Sequence, residues 1–442
     1  MAERSPVIAV SSWQNAYIMH LASTSSTAGE SRTGATAKVF LLGGAGQYGL
    51  AIGRLLVGQD FVSELIIAGR DLEKAKLAAA NLGRKAVPLQ VDASDEGRLA
   101  SLLSGSDILV NAAGWDTVMP ALRAAIRAGA HYCDIDAPQQ AFDLDGEARA
   151  AGITAGIQGG LVSNLMIMHA ASQLDEVLEV HLGTAWIRPP RLARAFASRE
   201  DWRETVAALR ESDLVRWWLW FRWSNRQRYD DPNRRMINTY SNGKWVAVDP
   251  LVSGVEIPRE HGAAVTAFPI SAIEDELVRP QYLKDVRQVC LHFSRFPPPL
   301  SELLETQAKR LVEGKADGPQ ASGAFYEAVE RDPERWLAGE DAFLTFPDVP
   351  AWWVNVIGHK AGAPARYACW ITPDSRVDDR EYVSVPGAVA AMMIIQGEAR
   401  GPGVLPPEGC FEPAPFFERA ARLLPETPPG GKLLGETFEW LR

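Results

Sequence analysis

Residues 44–49, Gly44-Ala45-Gly46-Gln47-Tyr48-Gly49, place a G-x-G-x-x-G string directly behind the apolar run KVFLL (38–42). A helix-forming stretch, Gln47 to Gly58, comes directly after it. In a strand–turn–helix context the first glycine allows the tight turn and the second lets backbone approach a pyrophosphate. The third lets the helix sit close to the strand, with its first N–H groups aimed at phosphate. The string alone is weak, and a purely structural glycine turn is the plain alternative. In this context Gly44, Gly46, Gln47, Tyr48 and Gly49 read as a dinucleotide-binding turn.

The next hundred residues support that context. ELIIA (64–68), VPLQV (87–91), DILVN (107–111), HYCDI (131–135) and GITAGI (152–157) repeat the short apolar form, with helical stretches between them and Asp71 suited to cap one. Such alternation means βαβ units and a parallel sheet buried on both faces. After about residue 160 the alternation fails. Leu161–Leu174 reads as helix, residues 176–187 as a strand of another kind, and 352–371 as a hairpin turning around Lys360–Pro364. A helix is expected over 387–397. The expected fold class is α/β: a Rossmann doubly wound parallel sheet with an inserted α+β substrate and dimerisation domain. The expected units are a flexible extension (1–37), a Rossmann domain (38–160), the α+β domain (161–385) and a C-terminal segment (386–442) returning to the Rossmann domain.

The strand ends carry the chemistry. The second strand closes on Gly69-Arg70, where an NAD site usually places an acid for the ribose hydroxyls. A guanidinium there suits a 2′-phosphate, so NADP(H) is the preferred cofactor. The alternative is a surface arginine paired with Asp71 or Glu73. Asp92, closing the third strand, either reaches the adenine or caps a helix. Ala112, Ala113 and Gly114 close the fourth with small residues that let cofactor lie against backbone. Asp134 and Asp136 close the fifth. They either orient an amine and take its proton or serve as caps and salt bridges. Cys133, between them, reads as a core thiol.

Composition excludes several classes. The 442 residues carry 45 Lys+Arg against 55 Asp+Glu, and a net charge of −10 argues against a nucleic-acid binder. Four scattered cysteines form no CxxC pair and seven histidines no ligand spacing, so no metal site is expected and reduced thiols fit a cytoplasmic protein. There is no G-x-S-x-G elbow for a serine hydrolase. No long apolar run suggests a membrane span, and no signal peptide is read at the N-terminus. Residues 22–36 have 13 Ser, Thr, Ala or Gly in 15, a linker composition.

Tryptophan is unevenly spread. Residues 38–160 hold only Trp115, and residues 161–385 hold eleven of the 14. Residues 188–235 contain twelve arginines, no lysine and seven acids, with aromatics interleaved. This is either a pocket for a carboxylate-bearing substrate or a helix pair whose tryptophans fill a core or dimer interface. The structural reading suits most of these residues, with a few arginines left for substrate.

GGAGQYG, AGRDLEKAK, DILVNAAG, the A-x-R-A-G-A-H-Y-C-D-I-D segment, the GGLVSNLM turn (159–166) and the closing GPGVLPPEGCFEPAPFFERAARLL together resemble the saccharopine dehydrogenase family. The resemblance covers 38–160 and 385–425 well. It implies a homodimer acting with NADP(H) on a C–N bond, reducing an imine formed from an amino compound and an aldehyde or oxo acid, or running in reverse. By the same resemblance Gly44, Gly46 and Gly49 hold the pyrophosphate, Arg70 the 2′-phosphate, and Ala112-Ala113-Gly114 the nicotinamide side. Asp134, Asp136 and Asp116 would serve the amine, while Trp115, Arg188, Arg191 and Arg194 would serve the substrate. The chain departs from the family after Gly114, where Trp115-Asp116 replace a proline and an aromatic, and in its Trp/Arg-rich segment. The family also includes reductases of activated C=C bonds on larger substrates, and a non-catalytic NADP-binding scaffold is the reading from another class.

Overall fold

The computed structural model describes residues 36–135, 138–157, 161–184, 202–211, 215, 237–248, 255–257, 265–269, 282–283, 285–294, 303, 306–307, 309–311, 313–337, 352–371, 379–424 and 433–441. The first half alternates strand and helix: β1 (Ala37–Leu42), α1 (Gln47–Val57), β2 (Val62–Gly69), α2 (Leu72–Leu82), β3 (Ala86–Gln90), α3 (Glu96–Leu102), β4 (Ile108–Asn111), α4 (Val118–Ala128), β5 (His131–Asp134), α5 (Asp145–Ala150) and β6 (Thr154–Gly156). The strands lie in the order β6-β5-β4-β1-β2-β3, all parallel. Helix starts reflect local chemistry. Asp71 accepts the Lys74 N–H ahead of α2, and Asp95 the Arg98 N–H ahead of α3. Gly129, left-handed at φ 69, ends α4.

The chain then leaves this sheet through α6 (Leu161–Ala171) and β7 (Glu176–Thr184). It continues through α7 (Trp202–Glu211), β8 (Ile237–Ser241), β9 (Lys244–Val248), β10 (Val255–Ile257), β11 (Val265–Pro269), β12 (Gln288–Ser294), α8 (Gly318–Arg331), α9 (Pro333–Leu337), β13 (Trp352–Lys360) and β14 (Ala363–Ile371). These strands build a second, mixed sheet in which β12 and β7 are parallel and the other pairs antiparallel. The expected hairpin is present: Ala361 (φ 49) and Gly362 (φ 77) make a two-residue turn of the type that matches strand twist. Asp175 clamps it, accepting the Ala361 N–H at 2.7 Å.

The C-terminal part contains α10 (Asp379–Ile395), β15 (Gly403–Leu405), α11 (Pro407–Cys410), α12 (Pro413–Leu423) and β16 (Gly435–Trp440). Two expectations change here. Helix α10 begins at Asp379 and runs through Pro386 rather than starting at 387. Its buried face, from Val385 to Ile394, holds it against α1 and β5 despite the proline, and Gly387 brings it close to Ile135 and Ile52. Residues 386–442 also do not all return to the Rossmann sheet. β15 joins it in parallel beside β6, but β16 pairs antiparallel with β14 in the second sheet.

One face of the parallel sheet (Val39, Leu41, Val110, Cys133) shares a continuous core with α6, α10 and the inner face of the second sheet (Val180, Leu182, Val354, Val356). The other face (Phe40, Leu42, Leu109, Tyr132) packs separately on α3 and α4. No helix among the described residues is long and apolar enough to cross a membrane.

Candidate cofactor and active site

All the parallel strands end at one edge, so Glu408, Asp134, Asn111, the glycine turn, Arg70 and Asp92 lie at or just beyond strand ends in a single row, in the sheet order β15-β6-β5-β4-β1-β2-β3. Strand order reverses between β1 and β4, and open α/β sheets bind ligands at such a switch point.

The turn between β1 and α1 is built for close approach. Gly46 N–H donates to the Gly43 carbonyl at 2.9 Å. A β-carbon at Gly49 would lie 2.2 Å from that same oxygen, so only glycine lets α1 start here. At Gly46 a β-carbon would meet nothing but the Gly43 oxygen, at 3.2 Å, so its outward side is open. Unlike α2 and α3, α1 has no side-chain cap and no acid in its first turn. Its leading N–H groups therefore face the crevice, which suits an anion. Gln47 is exposed and Tyr48 half-buried on that turn. The G-x-G-x-x-G pattern passes over Gly43, which adopts φ +76 and whose β-carbon would strike Ala113 Cα at 2.6 Å. The doubled glycine is its only signal in the sequence.

At the end of β2, Gly69 is open on its outer side and Arg70 is exposed. The acids that might have claimed Arg70 are engaged elsewhere: Asp71 with Lys74 and Glu73 with Lys76. The Arg70 guanidinium forms no ion pair among the described residues. Asp92 does not cap α3, a role taken by Asp95. It holds its own turn, accepting the Ser94 N–H at 2.9 Å and hydroxyl at 2.8 Å. Those two bonds, with the Arg70 charge, hold its carboxyl below the usual range.

At the end of β4, Asn111 is buried and fastens the Ala112–Gly114 segment. Its Oδ1 accepts the Ala113 N–H and the Thr117 hydroxyl, each at 3.1 Å. Ala113 and Gly114 are exposed, and Gly114 takes φ +114 with nothing near its outer side. Trp115 and Asp116 come next in a 3₁₀ turn, the indole half-buried and the carboxylate exposed. Asn111 and Thr117 are additions to the sequence-based site; an ordinary strand-end Asn and a Thr six residues later give no pattern to find.

At the end of β5, Asp134 is 1% exposed. Tyr132, fully buried, takes an Asn111 Nδ2–H bond at 3.3 Å. Burial first, then the Asp134 charge, push the phenol's pKa up. Cys133 points to the opposite face, fully buried, and burial pushes its thiol up as well, as a core thiol requires. Asp136, Arg188, Arg191 and Arg194 lie outside the described residues, as does most of the Trp/Arg-rich segment. Among the described residues no group of three or more His, Cys, Asp or Glu could hold a metal ion.

The uncapped helix start, the open glycines and the uncommitted Arg70 fit a dinucleotide bearing a 2′-phosphate. Residues 39–155 match the family model of the saccharopine dehydrogenase NADP binding domain. The apo saccharopine dehydrogenase (L-Glu forming) of Saccharomyces cerevisiae superposes with a TM-score of 0.63 at 16% identity, over 91% of this chain and 100% of that one. The homospermidine synthase of Legionella pneumophila, solved with NAD, does so with a TM-score of 0.50 at 12% identity, over 92% of this chain and 91% of that one. The parallel-sheet unit is thus an NADP-binding domain, and NADP(H) is the cofactor. With its second mixed sheet, the chain shares the fold of that saccharopine dehydrogenase.

Proposed function

We propose that this saccharopine dehydrogenase-like oxidoreductase works on a C–N bond, reducing an imine formed from an amino compound and an aldehyde or oxo acid, or oxidising the corresponding secondary amine. The observation that carries this reading is the buried Asp134 carboxylate, one strand away from the Ala112–Gly114 segment. NADPH, when bound, supplies the hydride that the imine carbon accepts. Asp134 would hold the iminium nitrogen by charge in a water-poor site, with Asp136 and Asp116 as further candidate carboxylates. Trp115 would form a wall of the substrate crevice, and Arg188, Arg191 and Arg194 would hold a substrate carboxylate bidentately. Cytoplasmic location, from the unpaired cysteines, and a homodimer, from the family resemblance, belong to the same proposal.

The experiment is NADPH oxidation across pairs of amines and oxo acids or aldehydes. Turnover should need both members of a pair, and Asp134→Asn should reduce it by about 100-fold or more while NADPH still binds. Undiminished turnover in Asp134→Asn, or oxidation of NADPH by an unsaturated thioester with no amine present, would sink the C–N reading.

A further inference from the structure

Strand β16 ends the second sheet. Among the described residues it pairs with β14 alone, so its far edge carries backbone donors and acceptors with no strand against them. Edge strands that stay unpaired are guarded by brevity, proline, lysine or a bulge. The other edge strands among the described residues follow that rule. β3 contains Pro88, β9 opens on Lys244, and β10 and β15 are three residues each, β15 lying between Pro402 and Pro406. β16 has none of these guards: its six residues, GETFEW, run in unbroken register with β14. Its two acids are engaged within the chain, Glu436 by Tyr367 and His169 and Glu439 by Arg366. Phe438 and Trp440 stand on one face, 40% and 54% exposed, edge to face with ring centroids 4.9 Å apart.

The ladder fixes which groups face outward. Leu441 N–H donates to the Pro364 carbonyl at 2.9 Å, and bonded and non-bonded pairs alternate along an antiparallel ladder. Gly435, Thr437 and Glu439 therefore turn their N–H and C=O groups to β14, while Glu436, Phe438 and Trp440 turn theirs to the open edge. We propose that a second copy of this chain occupies that edge, its β16 antiparallel to the first about a two-fold axis at Phe438, joining the two mixed sheets into one. In this register Phe438 meets Phe438 of the second copy, Glu436 meets Trp440 and Thr437 meets Glu439, and about six backbone hydrogen bonds form. No acid faces an acid, whereas an axis at Glu436 or Glu439 would set like charges opposite each other. The aromatic pairs of both copies then make an apolar centre for the contact. The homodimer given under the proposed function supplies the second copy, and β16 supplies its interface.

Sedimentation velocity of the full chain at micromolar concentration should show a dimer. Phe438→Lys combined with Trp440→Lys should weaken it by about 100-fold or more in Kd while NADPH affinity holds. Phe438→Cys places one thiol of each copy across the axis, and a short bismaleimide should link them into a covalent dimer. The native Cys133, Cys290, Cys369 and Cys410 are buried and give no background. Leu77→Cys, 68% exposed on α2, should not link. The cross-link keeps the test available if the lysine variant does not fold. A dimer unweakened by the two lysines, or unlinked at position 438, overturns the β16 interface and leaves the homodimer standing. A parent chain that stays monomeric overturns both.

Discussion

Gly49 stands so close to Gly43 that a methyl carbon on it would lie 2.2 Å from the Gly43 carbonyl oxygen. Helix α1 starts where it does only because this contact has no side chain in it.

The glycines of the turn should therefore separate into two kinds. Gly49→Ala has backbone atoms in its way, and Gly43→Ala adds a left-handed φ of +76 to a clash with Ala113. Both should lower the melting temperature and abolish NADPH binding. Gly46→Ala meets only one oxygen at 3.2 Å. It should melt close to the parent while weakening NADPH by about tenfold or more, because its methyl fills the space left for phosphate. Thermal melts alongside cofactor fluorescence titrations distinguish the two kinds.

With Arg70 proposed to meet the 2′-phosphate, Arg70→Gln should cost NADPH about 10- to 100-fold in affinity and leave NADH nearly unchanged. Equal loss for both cofactors would assign Arg70 to something other than that phosphate.

In the second sheet His292 is buried against Trp353, with ring centroids 6.0 Å apart, and its Nδ1–H donates to the Leu182 carbonyl at 3.3 Å. Burial, and then the neighbouring His181, push its pKa from 6.5 down to about 3. In the unfolded chain His292 would take a proton near pH 6.5, whereas in the fold it stays neutral. Its contribution to stability is complete above 6.5 and is lost as pH falls from there toward 3. His292→Gln, which keeps a donor but never charges, should flatten that acid loss by ~1.4 kcal/mol per pH unit in denaturant melts. An unchanged slope would mean that His292 does not titrate on unfolding.

Glu436 on β16 receives the Tyr367 hydroxyl at 2.5 Å and contacts His169 Nε2 at 2.5 Å, tying the edge strand to β14 and to α6. Glu436→Ala should raise amide exchange over 363–371 and 435–440 while NADPH affinity holds. Protection as in the parent would show that the backbone ladder alone secures β16.

The parallel sheet is legible in the sequence because its central strands are short runs buried on both faces, and the cofactor turn because its glycines come directly after such a run. The hairpin is legible through Ala361-Gly362, whose geometry is local. The partners of Asn111 are not, since its bonds to Ala113, Thr117 and Tyr132 depend on how a strand end meets the next turn and strand. Gly43 escapes because its constraint comes from Ala112 and Ala113, distant in sequence. β16 is hidden for a related reason: GETFEW is half charged or small, with Phe438 and Trp440 exposed, and only the waiting edge of β14 makes it a strand. Pro386 suggests a boundary because propensity is local, whereas the buried apolar side of α10 is a tertiary fact.

Two strands about thirty residues apart in sequence, β15 and β16, complete two different sheets. During synthesis, neither sheet can close its edge until residues 403–440 have left the ribosome, although the glycine turn emerged long before. The NADP-binding half is thus made early but finished late, and a ribosome-bound chain would wait with both edges open. A chaperone that shields strand edges would have its work concentrated in that interval.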